Sequence, residues 1–354
     1  TAYVWMARGD LMDKYGIESL DTFDGAEEYM QAIVDNEPSM IPLDVGSDYD
    51  RQFVFDLIWN VESNAKGEDN YAVLTPTNLM TCVGENDPEA NVMSTLDTDI
   101  FMTTLNKVKD WRDRGFWSRN AVVNTQNNTE SFQAGKSALA VMNINTAKSL
   151  YATLQAEHPE WDVRVFDAMN GAPATIQSYL ANGMSIFSKS KHPERALMAL
   201  DYLRNDEICH NLFCYGIEGV HWEAVGETGL KSLPDSVNYA YDSNCNWGVR
   251  NDKFWRTVEG GIPNSEELTE TWKATARSGR YLTFVFDDSA VKNEVAAVSE
   301  IYNSDYKLLQ LGFTDDPEGD VAKLKTKLEA AGVAALQDAF HTQALTFLES
   351  HPVE

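Results

Sequence analysis

The stretch from Glu130 to Gln155, ESFQAGKSALAVMNINTAKSLYATLQ, constrains the fold more than any other part of the chain. It reads as a helix end, a turn at Gly135, a short buried strand over Ser137 to Met142, and a polar loop, Asn143-Ile144-Asn145-Thr146, that opens another helix. An apolar run of strand length is shielded from water, so its exit loop lies at the carboxyl edge of a sheet. In open α/β sheets ligands bind in the crevice beyond those edges. Helix-start amides and Asn side chains there are poised to hydrogen-bond a polar ligand. An ordinary βα turn capped by Asn or Thr accounts for the same residues equally well.

At 354 residues the chain is long for one hydrophobic core, which predicts two or more domains. Its 43% hydrophobic and 23% charged content is that of a folded globular protein rather than a disordered one. Asp+Glu 55 against Lys+Arg 28 gives a net charge of -27, which repels phosphate backbones and anionic lipids. Nucleic acid and peripheral membrane binding are therefore disfavoured. No run approaches the roughly 18 apolar residues of a membrane helix. The opening, TAYVWMARGDLM, begins abruptly in strand-like sequence and reads as a start within a longer protein. Cys82, Cys209, Cys214 and Cys245 lack metal-like spacing. A Cys214–Cys245 disulfide is conceivable, but free buried thiols are the expected state.

Along the chain, residues 3 to 7 read as a strand and Asp10 to Tyr15 as a short helix closed by Gly16; Thr22 caps a helix through about Asp35. Ile41 to Val45 is a strand with Gly46-Ser47-Asp48-Tyr49 as its exit loop, and an apolar helix covers Phe53 to Trp59. Tyr71 to Glu89 reads as a loop or hairpin, and Asp97 to Arg114 as an amphipathic helix ending at Gly115. A helix from Thr146 and a strand over Val163 to Phe166 suggest βαβ alternation. Ala172 to Phe187 reads as a crossover strand, Pro193 to Phe213 as one helix, and Tyr215 to Trp222 as a Gly-bounded loop. Ser289 to Tyr302 and two segments split at Gly332 complete a helical C-terminal end. Strands dispersed among helices argue for an α/β protein.

Several segments carry a resemblance: WMARGDLMDKYGIESLDTFDGAEEYM (5 to 30), SFQAGKSALAVMN (131 to 143), LANGMSIFSKSKHPERALMALDYLRND (180 to 206), YGIEGVHW (215 to 222) and VFDDSAVKNEVAAVSEIYNSDYKLLQLGFTDDPE (285 to 318). In this order they resemble the extracellular solute-binding proteins of carbohydrate ABC importers, the maltose-binding-protein-like class. The nearer likeness is to a Gram-positive lipoprotein subgroup with a helical C-terminal region. The resemblance implies a two-lobed, periplasmic-binding-protein-like fold. Residues 1–171, continued by 286–354, would form the second lobe, and 172–285 the remaining part of the first. In the family a long N-terminal portion, with a lipobox cysteine and half of the first lobe, precedes the segment that residues 3 to 30 resemble. The first lobe is thus expected to be incomplete here, and the anchor segment to lie outside this chain. The resemblance further implies a monomeric, lipid-anchored receptor on the extracellular face of the membrane. It would close about its hinge on an oligosaccharide and dock on an ABC permease, without cofactor, metal or catalysis.

Sugars present hydroxyls and flat C–H faces, so their sites combine aromatic platforms with amide and acidic side chains. Candidates are Asp48 and Tyr49 after a strand, Asn143 and Asn145 in the cleft-lining loop, and Gln177, Tyr179 and Asn182 on the crossover. Glu218, His221 and Trp222 lie in the Gly-bounded loop, and Trp247 with Asn251 offers a second platform and polar partner. Each has a plain structural reading as well: an Asx turn, a helix cap, a buried strand or a structural turn. Trp59, Trp111 and Trp117 sit at helical positions and read as core. No HExxH, Gly-x-Ser-x-Gly or phosphate-cradling loop occurs; Gly135-Lys136-Ser137 fails the P-loop spacing because Glu130 stands where a glycine is needed. A glycosidase would need two carboxylates about 5 to 9.5 Å apart, for which Asp48 with Glu218 is the only nomination. A receptor for a peptide or another polar solute is the other alternative.

Overall fold

The register of a four-stranded mixed sheet organises the larger part of the molecule, in a computed structural model that describes residues 2–46, 48–74, 76–176, 178, 183–239 and 248–351. In chain order this part has β1 (Tyr3–Ala7), α1 (Gly9–Tyr15), α2 (Phe23–Asn36), β2 (Ile41–Leu43) and α3 (Asp48–Ala65). Next come β3 (Tyr71–Val73), β4 (Thr81–Gly84), β5 (Met93–Ser94), α4 (Asp99–Asp113), α5 (Asn128–Gln133), β6 (Ser137–Asn143), α6 (Ile144–Glu157) and β7 (Arg164–Asp167). The sheet order is β2-β6-β1-β7. β6 pairs parallel with β2 and antiparallel with β1, which also runs antiparallel to β7. β6 and β7, joined by α6, therefore run in the same direction, in keeping with the expected βαβ alternation; the antiparallel β1 between them is a partnering that local apolar runs do not encode.

Each expected boundary has a local cause. Gly16 takes the left-handed conformation (φ 71°), where its N–H closes α1 on Met12 and Asp13 carbonyls. The Thr22 side chain accepts the Gly25 N–H at 3.1 Å and starts α2. β6 is buried from Ser137 to Met142, as its unbroken apolar run requires. The segment 71–89, expected as a loop or hairpin, holds the antiparallel pair β3-β4, which β5 extends into a three-stranded sheet.

A second group of elements comprises α7 (Pro193–Asn205), α8 (Glu207–Tyr215), β8 (Trp222–Val225), β9 (Gly229–Ser232) and β10 (Thr257–Val258), with sheet order β10-β9-β8. The single helix expected from Pro193 to Phe213 is broken at Asp206, whose side chain accepts the Cys209 N–H at 2.9 Å and caps α8. The expected crossover strand is absent among the described residues of 172–187; its regular pairing is one isolated bridge, Thr175 to Arg277. Then follow α9 (Ser265–Thr275), α10 (Lys292–Ile301), a π-helical turn over Tyr302–Tyr306, α11 (Lys307–Gln310), α12 (Pro317–Ala330) and α13 (Val333–Ser350). Gly332 (φ 87°) separates the last two helices as its position predicts.

By contacts the chain divides into two compact units, residues 1–147, 153–177 and 266–354 in one and 148–152 and 178–265 in the other. The first has a continuous core in which Trp5, Tyr29, Phe55, Phe101, Trp111 and Phe340 are buried. Trp59 and Trp117 join it as expected, Trp59 from α3 and Trp117 from the turn after α4 rather than from a helix. The second has a small core of Cys214, Tyr215, Trp222 and Leu230. Its helix α7 buries no residue, and Leu197, Met198 and Tyr202 are exposed. Cys214 is disulfide-bonded, which corrects the expectation of a free thiol there; Cys245 lies outside the described residues, while Cys82 and Cys209 are free. No described helix is long and apolar enough to cross a membrane.

Candidate functional site

The sequence-predicted residues fall into three kinds of place. Asp48 and Tyr49 belong to the first turn of α3 rather than to a loop, because that helix begins five residues earlier than the apolar pattern suggests; their side chains are outside the described part. Gln177, Tyr179, Asn182 and Trp247 also lie outside the described residues.

Asn143 and Asn145 stand where the strand-to-helix reading puts them, at the carboxyl end of β6 and the start of α6. Asn143 is engaged as a cap: its Oδ1 accepts the Thr146 N–H at 3.0 Å and its Nδ2 donates to Thr146 Oγ1 at 3.0 Å. Both Asn side chains are partly exposed.

The Gly-bounded loop of the second unit is held by its own groups. Trp222 is 3% exposed, and its Nε1 donates to the Gly216 carbonyl at 3.1 Å, so in this structure it is a core side chain and not an open platform. His221 Nδ1 accepts the Ile217 N–H at 2.8 Å, and the ring stacks on Tyr239. Glu218 is exposed, with its backbone in a bridge to Trp222. Asn251 donates to the Arg204 carbonyl at 3.0 Å and accepts the Lys253 N–H at 3.1 Å, tying a turn to the end of α7. Among these loop residues Glu218 keeps its side chain turned to water, and His221 and Asn251 serve the local backbone.

The polar concavity of the first unit was not foreseen. A cleft of about 640 Å³ is lined by Asn64, Asn70, Glu85, Asn86, Arg277 and Arg280, with Thr175, Ser278 and two glycines. Asn64, at the end of α3, donates to the Pro173 carbonyl at 2.9 Å and to Thr175 Oγ1 at 3.1 Å. Glu85 Oε2 accepts the Arg280 N–H at 2.7 Å, and burial raises its carboxyl pKa above the usual value. Arg280 donates through Nη1 to the Asp87 carbonyl at 3.3 Å, while its Nε is buried without a partner. A Cβ at Gly279 would come within 2.7 Å of Glu85 Oε1, so a larger residue there would shift that side chain. Amides, guanidiniums and one carboxyl at one surface can hydrogen-bond a hydroxyl-rich or otherwise polar solute. The signal in the sequence was the Arg277-Ser278-Gly279-Arg280 run, which local pattern could not bring to Glu85, almost two hundred residues earlier.

A narrower cavity of about 130 Å³ is lined by Phe55, Asp56, Trp59 and Asn60 of α3, by Tyr302 and Tyr306 of the π-helical turn, and by Val73, Met80 and Thr95. Asp56 is partly exposed, and burial pushes its carboxyl pKa up to about 7. No group of three or more metal-ligating side chains occurs among the described residues.

Residues 280–349 match a family described as a domain of unknown function (DUF3502). No curated protein matches the sequence. Among solved structures, an N-glycan transport solute binding protein (NgtS) from Streptococcus pneumoniae is 17% identical and superposes with a TM-score of 0.72, covering 98% of this chain and 73% of that one. The alginate-binding protein AlgQ2 is 12% identical, with a TM-score of 0.65 over 97% of this chain and 71% of that one. An HMO-binding, ABC-transporter-associated solute binding protein from Bifidobacterium longum infantis is 14% identical, with a TM-score of 0.57, covering 97% and 73%. Over almost its whole length, then, this chain has the fold of the carbohydrate solute-binding proteins of ABC transporters.

Proposed function

We propose that this protein is a non-enzymatic receptor that captures an oligosaccharide and delivers it to the membrane permease of an ABC importer. The observation that carries the reading is the fold: similar structures belong to an N-glycan transport solute binding protein, an alginate-binding protein and an HMO-binding protein, and the likeness spans 97–98% of this chain. The polar lining at Asn64, Asn70, Glu85, Arg277 and Arg280 supplies hydrogen-bonding chemistry suited to such a cargo. Asn143 and Asn145 of the first unit and Glu218 of the second are further candidates for sugar contact, being at least partly exposed at a strand end, a helix start and a loop.

In this reading residues 1–171 with 286–354 form one lobe and 172–285 belong to the other, and binding closes them about their connections. The receptor acts as a monomer at the extracellular face of a Gram-positive membrane, held there by a lipid anchor. The test is thermal-shift and calorimetric titration of the chain with N-glycan, alginate, milk and fructan oligosaccharides. One glycan class should raise the melting temperature and bind saturably. A response to none of them, or to a peptide alone, would overturn the oligosaccharide assignment.

A further inference from the structure

We propose that the small cavity walled by Asp56, Trp59, Asn60, Tyr302 and Tyr306 is a second binding site, selective for a small organic ammonium ion with Asp56 as its counter-charge. The site stands apart from the carbohydrate reading and uses none of the residues assigned to it.

The argument begins on α3. Asp56, Trp59 and Asn60 are spaced by three and four residues, so they share one helix face. That face meets the π-helical turn, where one extra residue in the turn directs Tyr302 and Tyr306 into the same cavity. Tyr302 and Tyr306 lie 5.1 Å apart between ring centroids, and Phe55 meets Tyr306 edge-on at 5.7 Å. The cavity is therefore bounded by aromatic rings on several sides, with a carboxyl among them.

Three polar groups there are left open. The Asp56 carboxyl, the Trp59 indole N–H and the Asn60 amide have no hydrogen-bond partner among the described residues. Part of each remains open to solvent in the cavity, where a bound molecule would take up their hydrogen bonds, while the rings of Phe55, Trp59, Tyr302 and Tyr306 around them are each at most 6% exposed.

Among the described residues no cation lines the cavity, and burial is the cause that raises the Asp56 carboxyl. The other titratable groups lining the cavity are the two tyrosines. Charged residues on the elements packed around it pair away from it: Asp305 with Lys327, Asp97 with Lys325 and Asp99 with Lys66. An ammonium ion fits this gap, since its charge offsets the carboxylate and aromatic faces attract cations. Its N–H groups would also satisfy acceptors at Asp56 and Asn60. A divalent metal does not fit, because the cavity offers one carboxyl and no cluster of ligating side chains. The 130 Å³ volume suits a small molecule rather than an oligosaccharide.

The test titrates the whole chain with n-butylammonium and tetramethylammonium chloride, against sodium chloride at equal ionic strength and butanol as a neutral isostere. Either ammonium ion should bind saturably below about 10 mM, more tightly at pH 8 than at pH 6 because the carboxylate must be ionised. Asp56→Asn should remain folded, with an unchanged or higher melting temperature, and lose at least tenfold in ammonium affinity. Equal binding of butanol, equal binding by Asp56→Asn, or no binding beyond the sodium control would each overturn the proposal. Glycan binding is measured in the same Asp56→Asn sample. It should be unaffected, so failure of this site and failure of the carbohydrate reading are read separately.

Discussion

Asp50 and Asn128 are joined by two hydrogen bonds, 2.7 Å from the Asn128 backbone N–H to Oδ2 and 2.6 Å from its side-chain Nδ2 to Oδ1. Asn128 Oδ1 in turn accepts the Val141 N–H at 3.0 Å, so one amide ties α3, α5 and β6 together. Both side chains are at most 3% exposed. Removing the amide takes one bond from the buried Asp50 carboxyl and the acceptor from the Val141 N–H, for which the usual cost is about 2–4 kcal/mol. Asn128→Ala should lower stability by that amount in urea unfolding, while Asn120→Ala, at an exposed turn, should leave it nearly unchanged.

The Asp56 carboxyl gives a pH dependence of definite sign. In the folded protein it keeps its proton up to about pH 7, whereas its ordinary value is 3.8. Across that window the native state binds more protons than the unfolded one, so stability falls as pH rises. The cost is absent below the lower value and complete above the upper, at most roughly 4 kcal/mol. Asp56→Asn should therefore match the wild-type protein near pH 4 and exceed it in stability at pH 8. Chemical denaturation at both pH values checks the difference between the two proteins, which cancels the contributions of the other acids.

Trp222 and Glu218 should separate stability from ligand capture. Trp222→Ala removes a buried ring from the small core of Tyr215, Leu230 and Cys214, a loss of about 3–5 kcal/mol. Glu218→Gln changes an exposed side chain and should leave the melting temperature within a degree or two. Any loss of glycan affinity in Glu218→Gln then reports on binding alone, whereas in Trp222→Ala a lowered melting curve should accompany it.

Gly312 is fixed by both its backbone and its neighbours. It has φ 71°, and a Cβ would meet the Val108 carbonyl oxygen at 2.7 Å and the Lys109 Cα at 2.8 Å. Those atoms are backbone of α4 and cannot swing aside. Gly312→Ala should cost about 2 kcal/mol or more. Gly115→Ala, with φ 82° and open space around it, should cost about 1 kcal/mol. Thermal melts of the two variants test the ranking.

The apolar side of α7 is open to water, with Leu197 61% and Met198 69% exposed. Leu197→Lys and Met198→Lys should leave the stability of this chain within about 0.5 kcal/mol. Light scattering of the two variants at high concentration should show no more aggregation than the wild-type chain, because each replaces exposed apolar surface with a charge.

Helix limits were legible at Thr22, Gly16, Gly115 and Gly332, whereas the Asp206 cap that starts α8 was hidden inside a continuous helical pattern. The buried strand 137–142 was legible because an unbroken apolar run of that length has few other uses. Partner choice was not: nothing near Val4 or Val141 says that their strands run antiparallel. The Tyr215–Trp222 loop shows a second limit, since a tryptophan between glycines reads alike as platform or as core, and only the Nε1 bond to Gly216 decides. Both concavities of the first unit escaped for one reason. Glu85 with Arg280, and Asp56 with Tyr302, are about two hundred residues apart or more, and periodicity reports only on neighbours.

The segmented make-up of the first unit has a consequence for biosynthesis. Its core includes Tyr281, Tyr306, Leu336, Phe340 and Leu348 beside Trp5 and Tyr29 from the opening strands and helices. On a ribosome, the opening strands and helices must therefore wait through the synthesis of the entire inserted unit, 178–265, before α10 to α13 emerge to cover them. During that interval the half-built core is exposed to chaperones and proteases, and the last turn of α13 is the event that ends its vulnerability.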